Sequence, residues 1–395
     1  MLISVERPGS VSLKVLPPLA LYVHIPWCVR KCPYCDFNSH ERSGSLPERE
    51  YVEALFRDLE ELLPKVWGRR VSSIFIGGGT PSLFSPESID RLLSGIRARV
   101  TLEPEAEITL EANPGAVEAA RFKAFRAAGV NRVSVSVQSL DERMLKALGR
   151  IHDAGEARRA IEAALAVFGN VNLDLMYGLP GQTLEMARAD LEQALVLGTP
   201  HLSAYQLAIE PNTVFFSKPP VLPEHDLTAD MQVMIEEFLE KNDFQHYETS
   251  AFAKPGHRCR HNLNYWQFGD YLGIGAGAHG KISFSDRVTR HSRMKQPREF
   301  LSAPSSLVED RSIDPAELAF EFMLNALRLT DGFPPGLFAE RTGLPILVIE
   351  KALREAEEKG LLRSTWERIV PTERGRLFLN ELLELFLAGG SRDRG

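Results

Sequence analysis

Leu19-Ala20-Leu21-Tyr22-Val23-His24-Ile25-Pro26, followed at once by Trp27-Cys28-Val29-Arg30-Lys31-Cys32-Pro33-Tyr34-Cys35, is the stretch on which the fold turns. The first part reads as a short apolar strand that stops at Pro26, because proline lacks the N–H a ladder needs. The cysteines then fall in the loop directly after that strand. The chain has only four cysteines, and the last, Cys259, lies far away. Such clustering suggests metal or redox chemistry rather than disulfide staples.

Working outward, five more short strand-like runs follow, at Val71–Ile76, Ala106–Leu110, Arg132–Val137, Val171–Met176 and Leu202–Leu207. Amphipathic helical stretches separate them: Glu48–Leu63, Pro86–Ile96, Ala116–Ala128, Ala154–Phe168, Leu184–Leu197 and Ala229–Lys241. Strands joined by helices of this length pair in parallel, because each crossover needs a dozen or more residues. The turn residues Gly77-Gly78-Gly79-Thr80, Asn113-Pro114-Gly115 and Tyr177-Gly178-Leu179-Pro180 sit just after strands, at the C-terminal mouth where such barrels bind ligands. Six units predict an α/β fold, an open partial (β/α)6 barrel rather than a closed eight-stranded one.

The 395 residues carry 46 Lys plus Arg against 53 Asp plus Glu, a net charge of −7 with the two signs interleaved. That balance argues against a nucleic-acid partner. Neither a signal peptide nor a run of about 18 apolar residues is recognisable, so the expected place is the cytosol. Beyond about residue 242 the pattern becomes loop-rich, with Tyr247, Tyr265, Trp266, Tyr271, His246, His257, His261 and His279. From Pro315 it turns helical, and the short helices followed by the brief apolar pairs Leu361-Leu362 and Ile369-Val370 predict a small winged-helix-like unit. The expected division is an N-terminal extension over 1–18, the barrel core over 19–245, an aromatic connecting segment over 246–312, a helical domain over 313–388 and a tail over 389–395.

Three thiolates on one loop are one short of a closed tetrahedral zinc site, which would need Cys259 or a distant histidine as the fourth ligand. An iron–sulfur cluster on three cysteines instead leaves one iron open. Cys-x-x-x-Cys-x-x-Cys after the first strand of a βα barrel resembles the signature of radical S-adenosylmethionine (SAM) proteins. The resemblance implies a [4Fe–4S] cluster on Cys28, Cys32 and Cys35, and SAM chelated by the open iron. It also implies cleavage of SAM by an electron to give a 5′-deoxyadenosyl radical. It places Tyr34 near the adenine, Tyr22 against SAM, and the backbone of Gly78, Gly79 and Thr80 at the SAM ammonium, where glycine leaves room for close approach. Glu111, Gln138 and Asp174 stand at strand ends and Arg150 just beyond. An arginine suits a bidentate grip on a carboxylate, and Glu and Gln suit ribose hydroxyls, although each alone could be a helix cap or rim salt bridge.

Glu111-Ala112-Asn113-Pro114, Ser136-Val137-Gln138-Ser139, Leu148-Gly149-Arg150 and Asp174-Leu175-Met176-Tyr177-Gly178 closely resemble the coproporphyrinogen III dehydrogenase-like branch of that family. Within the branch, the oxygen-independent dehydrogenases convert propionates to vinyl groups, while haem chaperones bind haem and pass it to haem-requiring apoproteins. The dehydrogenase pattern has a further cysteine where this chain has Phe37, which favours the chaperones. His261-Asn262-Leu263-Asn264-Tyr265-Trp266 resembles the chaperones' His-Asn-x-x-Tyr-Trp motif. An imidazole can ligate haem iron, and Tyr265 and Trp266 offer flat apolar surface. A packed aromatic loop with a hydrogen-bonded histidine is the alternative, and Cys259 and His257 compete for the ligand role. Expected partners are haem, haem-accepting apoproteins that include respiratory proteins at the membrane surface, and an electron donor. The apparatus for SAM cleavage is implied, but turnover of coproporphyrinogen is not expected. The run Gly273-Ile274-Gly275-Ala276-Gly277 lacks the context of a dinucleotide loop and is read as close backbone packing near the barrel mouth.

Overall fold

A computed structural model describes residues 11–387. The expected tail over 389–395 and the first ten residues of the expected extension lie outside them. Twelve strands form one sheet: β1 (Leu19–Ile25), β2 (Val71–Gly78), β3 (Leu102–Ala112), β4 (Arg132–Gln138), β5 (Val171–Tyr177), β6 (His201–Gln206), β7 (Gln245–Glu248), β8 (Ala251–Ala253), β9 (Asp270–Ile274), β10 (His279–Ser283), β11 (Val288–Arg293) and β12 (Leu307–Ser312). Their order is β12-β11-β10-β9-β1-β2-β3-β4-β5-β6-β8-β7. From β1 to β6 every neighbour is parallel, and helices α1 (Glu48–Leu62), α2 (Pro86–Arg97), α3 (Ala116–Ala128), α4 (Ala154–Leu165) and α5 (Leu184–Leu197) make the crossovers. α6 (His225–Glu240) follows β6 and packs beside α5. The sheet is therefore the expected open partial barrel.

The segment expected to be loop-rich departs from that expectation, because it supplies β7 to β12. β9 joins β1 in parallel, with Tyr22 opposite Gly273 and Val23 opposite Ile274, so the parallel run has seven strands rather than six. The glycines explain both the strand and its concealment. A Cβ on Gly273 would lie 1.8 Å from the His279 carbonyl oxygen, and one on Gly275, at φ +103°, would lie 2.4 Å from that of His24. Residues this close to a neighbouring backbone cannot carry the β-branched side chains that announce a strand.

Strand alternation puts two chemistries on two faces. Val133, Val135 and Val137 of β4, Leu173 and Leu175 of β5, and Leu202 and Ala204 of β6 are buried under the helices in the main hydrophobic core. The intervening Arg132, Ser134, Ser136 and Gln138, then Asn172 and Asp174, then Ser203 and Tyr205, line the concave face. A polar concave face that is not packed solid is what leaves room for ligands. A short helix, α7 (Arg260–Trp266), lies across it against β1 and β2.

A second core gathers Phe322, Met323, Phe333, Phe338 and Leu353 from α8 (Pro315–Ala326), α9 (Pro335–Thr342), α10 (Glu350–Glu358) and their connections. The antiparallel pair Leu362–Ser364 with Ile369–Pro371 follows them, as a wing would. This unit is joined to the sheet by the bridge between Glu248 and Leu329 and by the Thr249 N–H donating to the Arg328 carbonyl.

Candidate functional site

One cavity of about 620 Å³ runs along the concave face. At one end it is lined by Cys28, Cys32 and Cys35, with Gly78, Gly79, Thr80, Tyr34 and Arg150 around them. The cysteine loop is held from both sides: the Cys35 N–H donates to the Cys32 carbonyl, and the Arg42 N–H to that of Cys28. All three thiols are half-buried and unpaired in disulfides. Burial pushes the Cys28 thiol up to about 11 and raises that of Cys35. Thiols so placed stay protonated until a cation takes the proton's place.

The glycine turn is built for contact. Gly78 sits at φ +115°, and a Cβ there would lie 2.5 Å from the His24 ring, while one on Gly79 would meet the Trp27 carbonyl at 2.6 Å. The Gly78 N–H donates to Glu111 Oε2 at 3.0 Å. Thr80 accepts from Asn113 Nδ2 at 2.8 Å, and Asn113 Oδ1 accepts in turn from Arg150 at 2.8 Å. Arg150 also donates to the Ser136 carbonyl at 2.6 Å and lies 3.5 Å from Cys32 Sγ, and its Nε is buried without an acceptor. Gln138, held at φ +75°, accepts from the Tyr205 hydroxyl at 2.5 Å. Asp174 accepts from Ser134 at 3.1 Å and Asn172 at 2.6 Å. Of the sequence-predicted residues, Tyr34, Gly78, Gly79, Thr80, Glu111, Gln138, Arg150 and Asp174 thus share one cavity with the cysteines.

Tyr22 does not line it. Its hydroxyl is bonded to His24 Nδ1 at 2.7 Å and its ring packs on Phe75, because three residues of β1 separate it from the mouth. The side chains that sequence reasoning missed are Asn113, Ser134, Ser136, Asn172, Ser203 and Tyr205. Polar residues at every second position of β4 and β5 were the available signal.

Burial, then the neighbouring Asp174 charge, push the Glu111 carboxyl up to about 7, against the Gly78 N–H. A folded-state value above the unfolded one means that the unfolded chain ionises first, so this group's contribution to stability falls as pH rises from about 4.5 to 7. Glu111→Gln is expected to gain roughly 2 kcal/mol on the ligand-free native protein across that window, less than the full shift because the carboxyl is only half-buried. Urea unfolding of both proteins at pH 5 and pH 7.5 checks this; equal differences at the two values would contradict it.

The other end of the cavity is lined by Arg132, Glu248, Cys259, His261, Asn262, Trp266 and Arg328. Glu107 organises it. Its carboxylate accepts from the N–H groups of Arg260 and His261 at the start of α7, and from His261 Nδ1 at 3.0 Å. Burial opposes its charge, but the His261 hydrogen bond and the Arg132 charge hold the carboxyl well below the usual range. His261 is 4% exposed, lies flat on Phe75 with centroids 4.2 Å apart, and is kept neutral by burial. An ionised Glu107 only accepts, so the proton sits on Nδ1 and Nε2 is left as an acceptor, with Cys259 Sγ 3.5 Å away. Cys259 Sγ packs 3.2 Å from that ring and is buried. Tyr265 does not line the cavity and instead packs edge-on against Tyr271 and His261. Trp266 does line it, beneath the Arg328 guanidinium at 4.3 Å. His257 is not among the lining residues.

The chain matches the Radical SAM superfamily model over residues 22–194 and the HemN C-terminal domain model over 313–378. It is similar to the heme chaperone HemW of Escherichia coli, 52% identical over 94% of this chain and 99% of that protein. It is also similar to those of Haemophilus influenzae, 48% identical over 94% and 98%, and Bacillus subtilis, 34% identical over 93% and 98%. The solved structure of coproporphyrinogen III oxidase (HemN) from Escherichia coli, a radical SAM enzyme, superposes with a TM-score of 0.78 over 94% of this chain and 90% of that one, at 24% identity. That likeness is one of fold. With half of its residues shared over nearly the full length of both chains, this protein belongs to the HemW heme chaperone family of the radical SAM superfamily.

Proposed function

We propose that this protein binds haem and hands it to haem-requiring apoproteins, with a [4Fe–4S] cluster and SAM as its resident cofactors. The observation that carries the reading is the single cavity: the three cysteines line one end, and His261 and Trp266 of the His-Asn-x-x-Tyr-Trp segment line the other. Cys28, Cys32 and Cys35 would hold the cluster, which, when bound, would supply one-electron chemistry to SAM. The half-buried thiols, the glycines without room for a Cβ and the buried, acceptor-less Arg150 Nε all support that fit.

Gly78, Gly79 and Thr80 would face the SAM ammonium, and Arg150, oriented by Asn113 and Ser136, its carboxylate. Glu111, Gln138 and Asp174 would meet the ribose, and Tyr34 the adenine. Of the two tyrosines outside the cavity, Tyr22 would act by holding His24 behind the glycine turn, and Tyr265 by bracing His261. At the other end His261 offers Nε2, its ring fixed by Glu107 in the arrangement that metal-ligating histidines use. The proposed acceptors are respiratory apoproteins at the membrane surface, approached from outside the bilayer, since among the described residues no helix is long and apolar enough to cross a membrane. The reading includes a one-electron donor and an expected cytosolic location. The chain would divide functionally into a core over 19–245, the segment 246–312 that carries the haem motif, and a helical domain over 313–388.

An anaerobic comparison tests it. The reconstituted protein is expected to take up about one haem per chain and transfer it to an apo-acceptor. Given SAM, a reductant and coproporphyrinogen III, it is expected to release no carbon dioxide. Carbon dioxide and vinyl product without haem uptake would establish the dehydrogenase instead.

A further inference from the structure

Arg132 is the first residue of β4 and only 2% exposed, yet its guanidinium makes no hydrogen bond and no ion pair within 4.0 Å among the described residues. A buried guanidinium without a partner is among the costlier features a fold can keep. Its side chain lines the inner end of the cavity, and it is not alone there. Arg328 Nε and the Trp266 indole N–H line the same end and are likewise buried without acceptors. Glu248 at this end takes one bond, from an Arg328 terminal nitrogen at 3.4 Å, and the Arg132 guanidinium, Arg328 Nε and the Trp266 N–H, from three separate segments, are left without an acceptor. The nearby Glu107 attracts Arg132 but forms no hydrogen bond with it, because the Glu107 oxygens are taken by the start of α7 and the His261 ring.

We propose that Arg132, with Arg328 and the Trp266 N–H, forms a carboxylate subsite that takes a propionate of the tetrapyrrole, an inference that rests on the haem reading above. Guanidinium groups and an indole N–H suit a carboxylate, whose two oxygens accept several bonds at once. Glu107, Cys259 and His261 lie close enough together to suggest a metal ion instead, but the Glu107 oxygens are engaged by the Arg260 and His261 N–H groups and by His261 Nδ1, and burial keeps the Cys259 thiol protonated. The α-carboxylate of SAM is excluded by position. Arg132 lies four residues below Ser136, whose carbonyl holds Arg150 at the cysteine end, and that is roughly 13 Å of strand.

Titrations with haem and with haem dimethyl ester, whose carboxylates are capped, test the subsite. The wild-type protein is expected to bind the ester at least about tenfold more weakly than haem, and Arg132→Gln to lose about ten- to a hundredfold in haem affinity and to bind the two alike. SAM affinity should not change in the variant. The haem-to-ester ratio is read within each protein, so a loss of stability from removing the attraction between Arg132 and Glu107 does not move it.

Haem affinity equal in the two proteins, with no preference for haem over its ester, overturns the subsite and leaves haem binding standing. A loss of SAM affinity with haem unaffected overturns the tetrapyrrole assignment. Should wild type take up no haem, melting in sodium propionate against sodium chloride at matched ionic strength decides. Protection of wild type but not Arg132→Gln keeps the subsite and sinks the haem reading, whereas no protection sinks both. Arg328→Gln, at a partly exposed position, provides a second variant for each measurement.

Discussion

Cys32→Ser is expected to abolish cluster assembly, lowering the iron and sulfide content of anaerobically prepared protein from about four of each per chain to below one. The reason is ligand number. The loop from Cys28 to Cys35 offers three thiols, and the fourth cysteine is buried beside His261 at the other end of the cavity, where it cannot substitute. A serine hydroxyl keeps the size and loses the soft thiolate that iron–sulfur chemistry needs. Cys259→Ser should accordingly leave the iron content unchanged. If it were Cys259→Ser that emptied the site, or if zinc were found in place of iron, the cluster assignment would be wrong. Stability should change little in Cys32→Ser, since the residue is half-buried and the sheet does not pass through it.

His261→Ala carries the second largest effect: haem affinity is expected to fall about tenfold or more while the cluster's absorption is unchanged. The variant also costs folding stability, about 2–4 kcal/mol, because it removes a ring stacked on Phe75 and a buried hydrogen bond to Glu107. Stability and ligation therefore need separating. His261→Gln can keep a hydrogen bond to Glu107 but offers iron no imidazole nitrogen, so it should bind haem as poorly as the alanine variant. Wild-type affinity in His261→Gln would instead make His261 a positioning residue that fastens α7 to β3. The absorption spectrum of bound haem distinguishes the two, because loss of an imidazole ligand shifts it and loss of a brace does not.

The six strands of the core were legible because each couples a run of β-branched or aliphatic residues to a turn, as in Val171–Tyr177 before Gly178. β9 was not, since the close approaches that make Gly273 and Gly275 necessary also strip the strand of its signature. The cysteine end of the site was readable as motifs, each confined to a few neighbouring residues. Of the inner end only the motif over 261–266 and the neighbouring Cys259 were readable, because Glu107, Arg132, Glu248 and Arg328 join them through tertiary pairing, and no local pattern announces which strand will face which helix. Tyr22 illustrates the same limit from the other side. A motif places it beside a ligand, while the register of β1 directs its hydroxyl to His24.

The pairing of Leu19 with Asp270 has a consequence for how the molecule comes into being. On the ribosome the first strand emerges some 250 residues before one of its two partners, and non-local pairings of that kind form late. The thiols at 28 to 35 are thus displayed to solvent and oxidant while α7 and the helix ending near Arg328 are still being synthesised. Metal loading is expected to follow release of the finished polypeptide, and a nascent chain stalled before β9 should be the form most prone to oxidation.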